Sequence, residues 1–185
     1  MKNIISISLV IASIFALFAC NDTNIKSDGN VQSKVPELDL LTAIDQYKTE
    51  IVKQHMNAGT DPNKNPIPVG IPFDGAYPLH LAVLKGNSGI IQILLDNGAD
   101  IDIKAKNQDE ATPLHWAVFF IQDEMVPLLV KYGASINALD AHGGTPLDTA
   151  DFALTLNKGD DGKMIRLKKV MEVLKENGGK SAKDL

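Results

Sequence analysis

Residues 77–83 read YPLHLAV, and residues 112–118 read TPLHWAV. A second pair of similar segments has the same separation of 35 residues: GADID at 98–102 and GASIN at 133–137. An ungapped alignment of the two copies also matches apolar residues with apolar residues between these segments. A period that apolar, glycine and proline positions share predicts a repeat architecture.

The pattern inside one copy predicts two short helices. Pro78 suits the first turn of a helix, because its φ is already near the helical value and its missing N–H has no role there. The next apolar residues keep helical spacing as far as Gly86, which can adopt the left-handed conformation that ends a helix. A second apolar stripe runs through 90–95 and stops at Gly98. Two such helices cannot bury their own apolar faces, so like units must stack on them.

The TPLH start, the glycine-ended turn, the apolar second helix and the GAD-x-N exit resemble the ankyrin repeat. The resemblance implies an all-α fold, an ankyrin repeat solenoid of about four helix-turn-helix repeats with connecting β-hairpin-like loops. We place the repeats at approximately 37–73, 74–107, 108–141 and 142–180. The first repeat lacks the TPLH start, as an N-terminal cap would. The last carries about 12 extra residues between 150 and 163, judged against a family period of about 33. We expect them to lengthen its first helix and add a turn before a helix over 164–176.

The N-terminus has the profile of a signal peptide. Lys2 precedes an uncharged apolar run that ends at Ala19, and it is shorter than the roughly 20 residues of a membrane-spanning helix. LFAC at 17–20 resembles a bacterial lipobox, which implies cleavage after residue 19 and lipidation of Cys20, the single cysteine. Ordinary secretion and an uncleaved anchor are the alternatives. The sequence thus predicts a signal peptide over 1–19, a polar flexible tether over 20–36 and a repeat domain over 37–185.

Composition and motifs argue against several function classes. A net charge of −5 and the lack of a basic stripe disfavour nucleic acid as a partner. The sequence contains no nucleophile motif, phosphate-binding loop or pair of metal ligands at a known spacing, so we expect no enzyme activity, cofactor or metal. His55 is expected to face solvent on its helix. His80 and His115 stand in the TPLH box, where the resemblance implies hydrogen bonds to neighbouring loop backbone.

Three residues depart from the repeat pattern. Tyr77 stands where Thr112 supplies a hydroxyl, so it cannot pair with its histidine in the same way. Ile121 replaces the turn glycine, and because a β-branched residue is poorly suited to the left-handed conformation, we expect the turn to take another form. Pro127 interrupts a second helix for which Asp123 is the candidate N-cap.

Two features suggest a binding surface. The loop over 64–76 holds three prolines among alternating apolar residues, and it either contacts a partner or folds back over the first repeat. An aromatic pair at 119–120 near the altered turn either binds a partner or packs on the next repeat, while Trp116 is expected in the inter-repeat core. The candidate partner-binding residues are Leu84, Lys85, Phe119 and Phe120 on the hollow face, with Ile71, Phe73, Lys106, Gln108, Asp109 and His142 on the loops.

The leading hypothesis is a monomeric, non-enzymatic protein–protein interaction module in the bacterial cell envelope, facing the periplasm or the surface. It would touch the membrane only through its N-terminal lipid and bind an unidentified protein through loops and concave helices. The alternative is a protective or immunity-like structural component that guards a neighbouring envelope enzyme or toxin target.

Overall fold

A computed structural model describes residues 34–185, so the predicted signal peptide, Cys20 and most of the predicted tether lie outside the described residues. Within that range the secondary structure is helical, with no strand. The α-helices are α1 Leu40–Asp45, α2 Thr49–Asn57, α3 Pro78–Leu84, α4 Ser88–Asp96, α5 Pro113–Phe119, α6 Met125–Lys131, α7 Pro146–Leu156 and α8 Asp161–Glu176, followed by a 3₁₀ turn at Ala182–Asp184. The predicted all-α solenoid is confirmed.

The helices stack in pairs. Each odd-numbered helix packs on the helix that follows it, and the first helices α1, α3, α5 and α7 pack in one continuous row. In the second row α2 packs on α4 and α6 on α8. One apolar core runs through these layers from Leu40 to Leu174, so each repeat covers the apolar face of its neighbours.

Prolines and glycines set the helix ends as the sequence predicts. Helices α3, α5 and α7 all begin with proline after a residue in extended conformation. The turn after α3 has Gly86 at φ +63°. The loops between repeats carry short hairpin-like backbone pairs, such as the 3.0 Å bond from Ala105 N to Ala111 O. They are the expected hairpin-like connections, too short to count as strands.

The expectation for Ile121 is wrong. This residue adopts the left-handed conformation itself, at φ +56°, so the turn keeps the form that glycine gives it in the preceding repeat. Its side chain is buried in a small second cluster with Ala153 and Leu167. Its carbonyl oxygen accepts a 2.5 Å hydrogen bond from Arg166 Nη2. We attribute the tolerance of this backbone strain to these contacts, which the lengthened α7 and α8 provide.

The insertion lengthens both helices of the last repeat. Helix α7 has 11 residues, against 7 in α3 and α5, and α8 has 16 residues and begins at Asp161, three residues before the expected start. Arg166 of α8 also binds Asp123, with Nε 2.9 Å from Oδ1. The N-cap of α6 is Glu124 and not the predicted Asp123, because the helix begins at Met125. Pro127 thus lies at the third helical position, where no N–H is needed.

His55 does not face solvent, which corrects the sequence-based prediction. Its side chain is 3% exposed. Nε2 lies 2.7 Å from the carbonyl oxygen of Leu38, and Nδ1 lies 3.1 Å from Oγ1 of Thr60. The imidazole joins α2 to the segment that leads into α1, a contact that helical spacing within α2 could not reveal.

Candidate functional site: a concave groove

Buried histidines tie each central repeat to the next loop. His80 Nε2 lies 2.9 Å from the carbonyl oxygen of Ala111, and His115 Nε2 lies 3.1 Å from that of Gly144. In both, Nδ1 accepts a 3.3 Å hydrogen bond from the backbone N–H of residue 77 or 112, so Nε2 carries the proton and donates. Burial lowers the pKa of His80 to about 4, which keeps the ring neutral. The backbone N–H of Tyr77 thus orients its histidine although Tyr77 has replaced threonine.

The last repeat has aspartate, Asp148, where the two central repeats have histidine. Asp148 accepts hydrogen bonds from Ser181 Oγ at 2.5 Å and from the backbone N–H of Ala182 at 2.9 Å. It also accepts from the backbone N–H of Thr145 at 3.0 Å. The Thr145 hydroxyl lies 3.0 Å from the same carboxylate and 2.7 Å from the Lys180 carbonyl oxygen. A histidine Nε2 donates to a loop carbonyl, whereas the C-terminal segment presents donors, and a carboxylate satisfies them.

The proline-rich loop over 64–76 packs on the third repeat, a contact that neither alternative in the sequence analysis included. Ile67 is buried and pairs with Ala76 through a 2.8 Å backbone hydrogen bond. Phe73 has φ +64°, and its ring centroid lies 5.9 Å from that of Trp116 and 5.7 Å from that of Phe120. The loop therefore covers part of the core with Ile67 and rests Phe73 on helix α5 of the third repeat.

Phe73 forms one wall of a groove of about 710 Å³ on the concave side of the third and fourth repeats. Helix α7 forms the opposite wall, where the ring of Phe152 stacks on that of Phe119 at a centroid distance of 6.4 Å. These two side chains remain 55% and 39% exposed. The lining residues are Phe73, Asp74, Asn107, Asp109, Ala111, His115, Trp116, Phe119, Phe120, Asp140, His142, Gly144, Asp148, Thr149 and Phe152.

A family model for ankyrin repeats, with three copies, matches residues 40–140, more than half of the chain. The chain belongs to the ankyrin repeat family. It is 42% identical over 76 residues to the human B-cell lymphoma 3 protein, covering 39% of this chain and 16% of that protein. It is 32% identical over 114 residues to human neurogenic locus notch homolog protein 2, covering 62% of this chain and 4% of that one. It is 36% identical over 127 residues to alpha-latrocrustotoxin-Lt1a of Latrodectus tredecimguttatus, covering 69% of this chain and 8% of the toxin. The chain thus spans less than a fifth of each of these relatives.

Ankyrin repeats make the chain a protein–protein interaction module, and the family is generally non-enzymatic. Across residues 34–185, His, Cys, Asp and Glu side chains form no group of three that could hold a metal ion. Over the same range, no helix has the length and apolar character needed to cross a membrane.

The ankyrin groove is acidic. Its lining includes four aspartates and no lysine or arginine. At its loop edge His142 Nε2 lies 3.1 Å from Asp109 Oδ1, and this carboxylate raises the pKa of His142. The backbone N–H of Ala141 also donates to the Asp109 carbonyl at 2.8 Å, so the third and fourth loops are joined twice.

Five of the predicted partner-binding residues line this groove: Phe73, Asp109, Phe119, Phe120 and His142. Lys106 and Gln108 line a separate depression on the loops that also includes Val69 and Asp109. Ile71 is partly buried against the core.

The remaining two predicted residues serve contacts between repeats. Lys85 Nζ lies 3.1 Å from Asp45 Oδ1 and 5.1 Å from the centroid of the Tyr47 ring. The Leu84 carbonyl accepts a 2.6 Å hydrogen bond from Gln122 Nε2. Lys85 therefore already has an acidic and an aromatic neighbour in the first repeat.

The sequence-based prediction of partner-binding residues missed Asp140 and Phe152 of the groove lining. For Phe152 a signal existed in the sequence. Phe119 follows Pro113 by six positions, and Phe152 follows Pro146 by the same number. Carrying the repeat frame into the last, lengthened repeat would have placed both rings on one face.

Proposed function

We propose that this ankyrin chain is anchored by a lipid on Cys20 in the bacterial cell envelope and captures a protein partner in the concave groove between Phe73 and Phe152. The observation that supports the binding face is the stacked pair Phe119–Phe152, which is exposed inside a concave surface. Aromatic side chains are enriched at interface hot spots, and burying a pair of them supplies a large share of binding energy.

The groove is held in place before any partner arrives. Trp116 packs at a ring-centroid distance of 5.1 Å from His80 and 5.4 Å from Phe120, and Phe119 meets Phe120 edge to face at 5.1 Å. The left-handed backbone of Phe73 is strained for a non-glycine residue, a cost that the contacts of its ring offset. A rigid surface loses little side-chain entropy on binding, which favours affinity.

The groove assignment is tested by partner capture with the double variant Phe119→Ala/Phe152→Ala. We expect binding to weaken by about 30-fold or more, the loss typical of a hot spot worth about 2 kcal/mol. Ile165→Ala is the matched control, because Ile165 is 58% exposed and outside the groove lining. Circular dichroism checks that the variants keep their helices. Undiminished capture by a folded double variant would refute the groove assignment.

The envelope anchor is supported by the LFAC sequence at 17–20 and by the polar composition of residues 21–36, which separate Cys20 from the repeats. The test is the intact mass of protein extracted from membranes, with Cys20→Ser as control. We expect a chain that starts at Cys20 and carries acyl groups, and no such species in the control. An unprocessed chain that begins at Met1 would overturn the anchor.

A further inference from the structure

The charges in the groove indicate what kind of segment it can bind. Asp74, Asp109, Asp140 and Asp148 line it, and the single basic side chain among the lining residues, apart from the neutral buried His115, is His142. A carboxylate beside apolar surface is incompletely solvated, so an incoming cation gains more there than at an open surface.

The carboxylates differ in how far the protein already satisfies them. Asp148 accepts hydrogen bonds from Ser181 Oγ and from the backbone N–H groups of Thr145 and Ala182, and it is committed to the C-terminal segment. Asp140 Oδ1 accepts from the backbone N–H groups of His142 and Gly144, and Asp109 Oδ1 lies near the His142 ring. The Oδ2 atoms of Asp109 and Asp140 receive no hydrogen bond from residues 34–185. Asp74 accepts a single 3.4 Å hydrogen bond, from the Gly70 N–H to Oδ2, and its Oδ1 likewise receives none from these residues. These three oxygen atoms are the carboxylate acceptors that the groove offers to a ligand.

We propose that the groove takes an extended peptide segment of the partner in which an aliphatic or aromatic side chain lies next to lysine or arginine. The apolar side chain rests on Phe119 and Phe152, and the cationic group lies against Asp109 and Asp140. This inference rests on the proposed function and adds the chemistry of the partner to it. An acidic segment would meet like charges along the groove and is disfavoured.

The test uses a library of random dodecapeptides selected on the folded repeat domain within the intact chain. Selected peptides that lack tryptophan are then titrated by fluorescence, because Trp116 is the single tryptophan and lines the groove. We expect enrichment of lysine or arginine beside a leucine or an aromatic residue. The affinity should fall about tenfold in Asp109→Asn/Asp140→Asn, at roughly two- to fivefold per carboxylate.

Both asparagines keep an oxygen that can accept the existing hydrogen bonds, so the loops should hold their shape. Glu172→Gln/Glu176→Gln removes the same charge from exposed positions on α8 and should leave the affinity unchanged. An equal loss in that control would mean that net charge alone attracts the peptides, which overturns the inference.

Other outcomes separate the inference from the proposed function. Peptides that need Phe119 but show no preference for basic residues would overturn the inference and leave the groove as a binding site. The inference would also be overturned if no peptide were enriched on the wild-type chain relative to the Phe119→Ala/Phe152→Ala variant. The partner-capture experiment would then decide whether the groove binds a protein. Self-association that this double variant abolishes would overturn the inference too, because a second copy would be the occupant.

Discussion

The carboxylate of Asp148 should stabilise the C-terminal end of the solenoid, and its removal should be measurable. Hydrogen bonds from Ser181, Thr145 and Ala182 outweigh the opposing effect of burial and hold the pKa of Asp148 at about 2, below the ordinary 3.8. Burial, taken alone, would raise it. A difference of this size corresponds to roughly 2.4 kcal/mol at 1.36 kcal/mol per pKa unit, and solvent screening of this partly exposed group reduces it to about 1 kcal/mol.

The Asp148→Asn variant should therefore lower the free energy of unfolding by about 1 kcal/mol at pH 7, measured by urea denaturation with circular dichroism. Asp148→Ala should lower it by about 2–3 kcal/mol, because it also strips an acceptor from several donors. Asp151→Asn, an exposed carboxylate on the same helix, is the control and should change the free energy by less than about 0.5 kcal/mol.

The stabilisation that the Asp148 carboxylate provides should decrease as the pH falls. Because the pKa of Asp148 is depressed in the folded chain, its stabilisation is fully present above the ordinary pKa of 3.8 and is lost as the pH falls toward about 2. The difference in unfolding free energy between wild type and Asp148→Asn should stay constant from pH 7 to 5 and shrink below 3.8. A difference that does not change down to pH 2.5, or an Asp148→Ala variant as stable as wild type, would refute the role of the carboxylate.

Three further changes test other contacts. Ile121→Gly relieves the strain of the left-handed backbone but removes a buried side chain, so the free energy of unfolding should fall by about 2 kcal/mol in urea denaturation. A gain in stability would contradict a stabilising role for the Ile121 side chain. Arg166→Lys loses the fork that joins Asp123 to the Ile121 carbonyl and should cost about 1 kcal/mol, with faster amide exchange in the α5–α6 turn; unchanged exchange would show that the fork is dispensable. The pKa of His142, measured by NMR titration, should exceed 6.5 and return toward that value in Asp109→Asn. Any stabilisation from this pair is therefore present below pH 6.5 and is lost as the pH rises past the raised pKa. An equal pKa in both proteins would exclude the contact.

Local signals in the sequence predict most of the helical framework. Proline at the first helical position and glycine at the ends act within a few residues, so the pattern around Pro78 and Gly86 suffices to place α3. The frame also identifies Phe119 as a residue of the concave face, and would have identified Phe152.

Contacts between distant parts of the chain explain the rest. The environment of His55 depends on Leu38, 17 residues away, and the left-handed Ile121 depends on Arg166, 45 residues away. The position of Phe73 depends on rings of the third repeat. Helical spacing describes one element at a time, so none of these contacts could be read from it.

The most direct test of the groove as the partner-binding face is photocrosslinking in cells of the native organism. The photoreactive residue p-benzoylphenylalanine replaces Phe152 in one strain and Glu172, an exposed residue of α8, in another. We predict a discrete crosslinked adduct between the protein and its partner from position 152, and none from position 172. Adducts of equal yield from both positions, or from position 172 alone, would contradict binding in the groove.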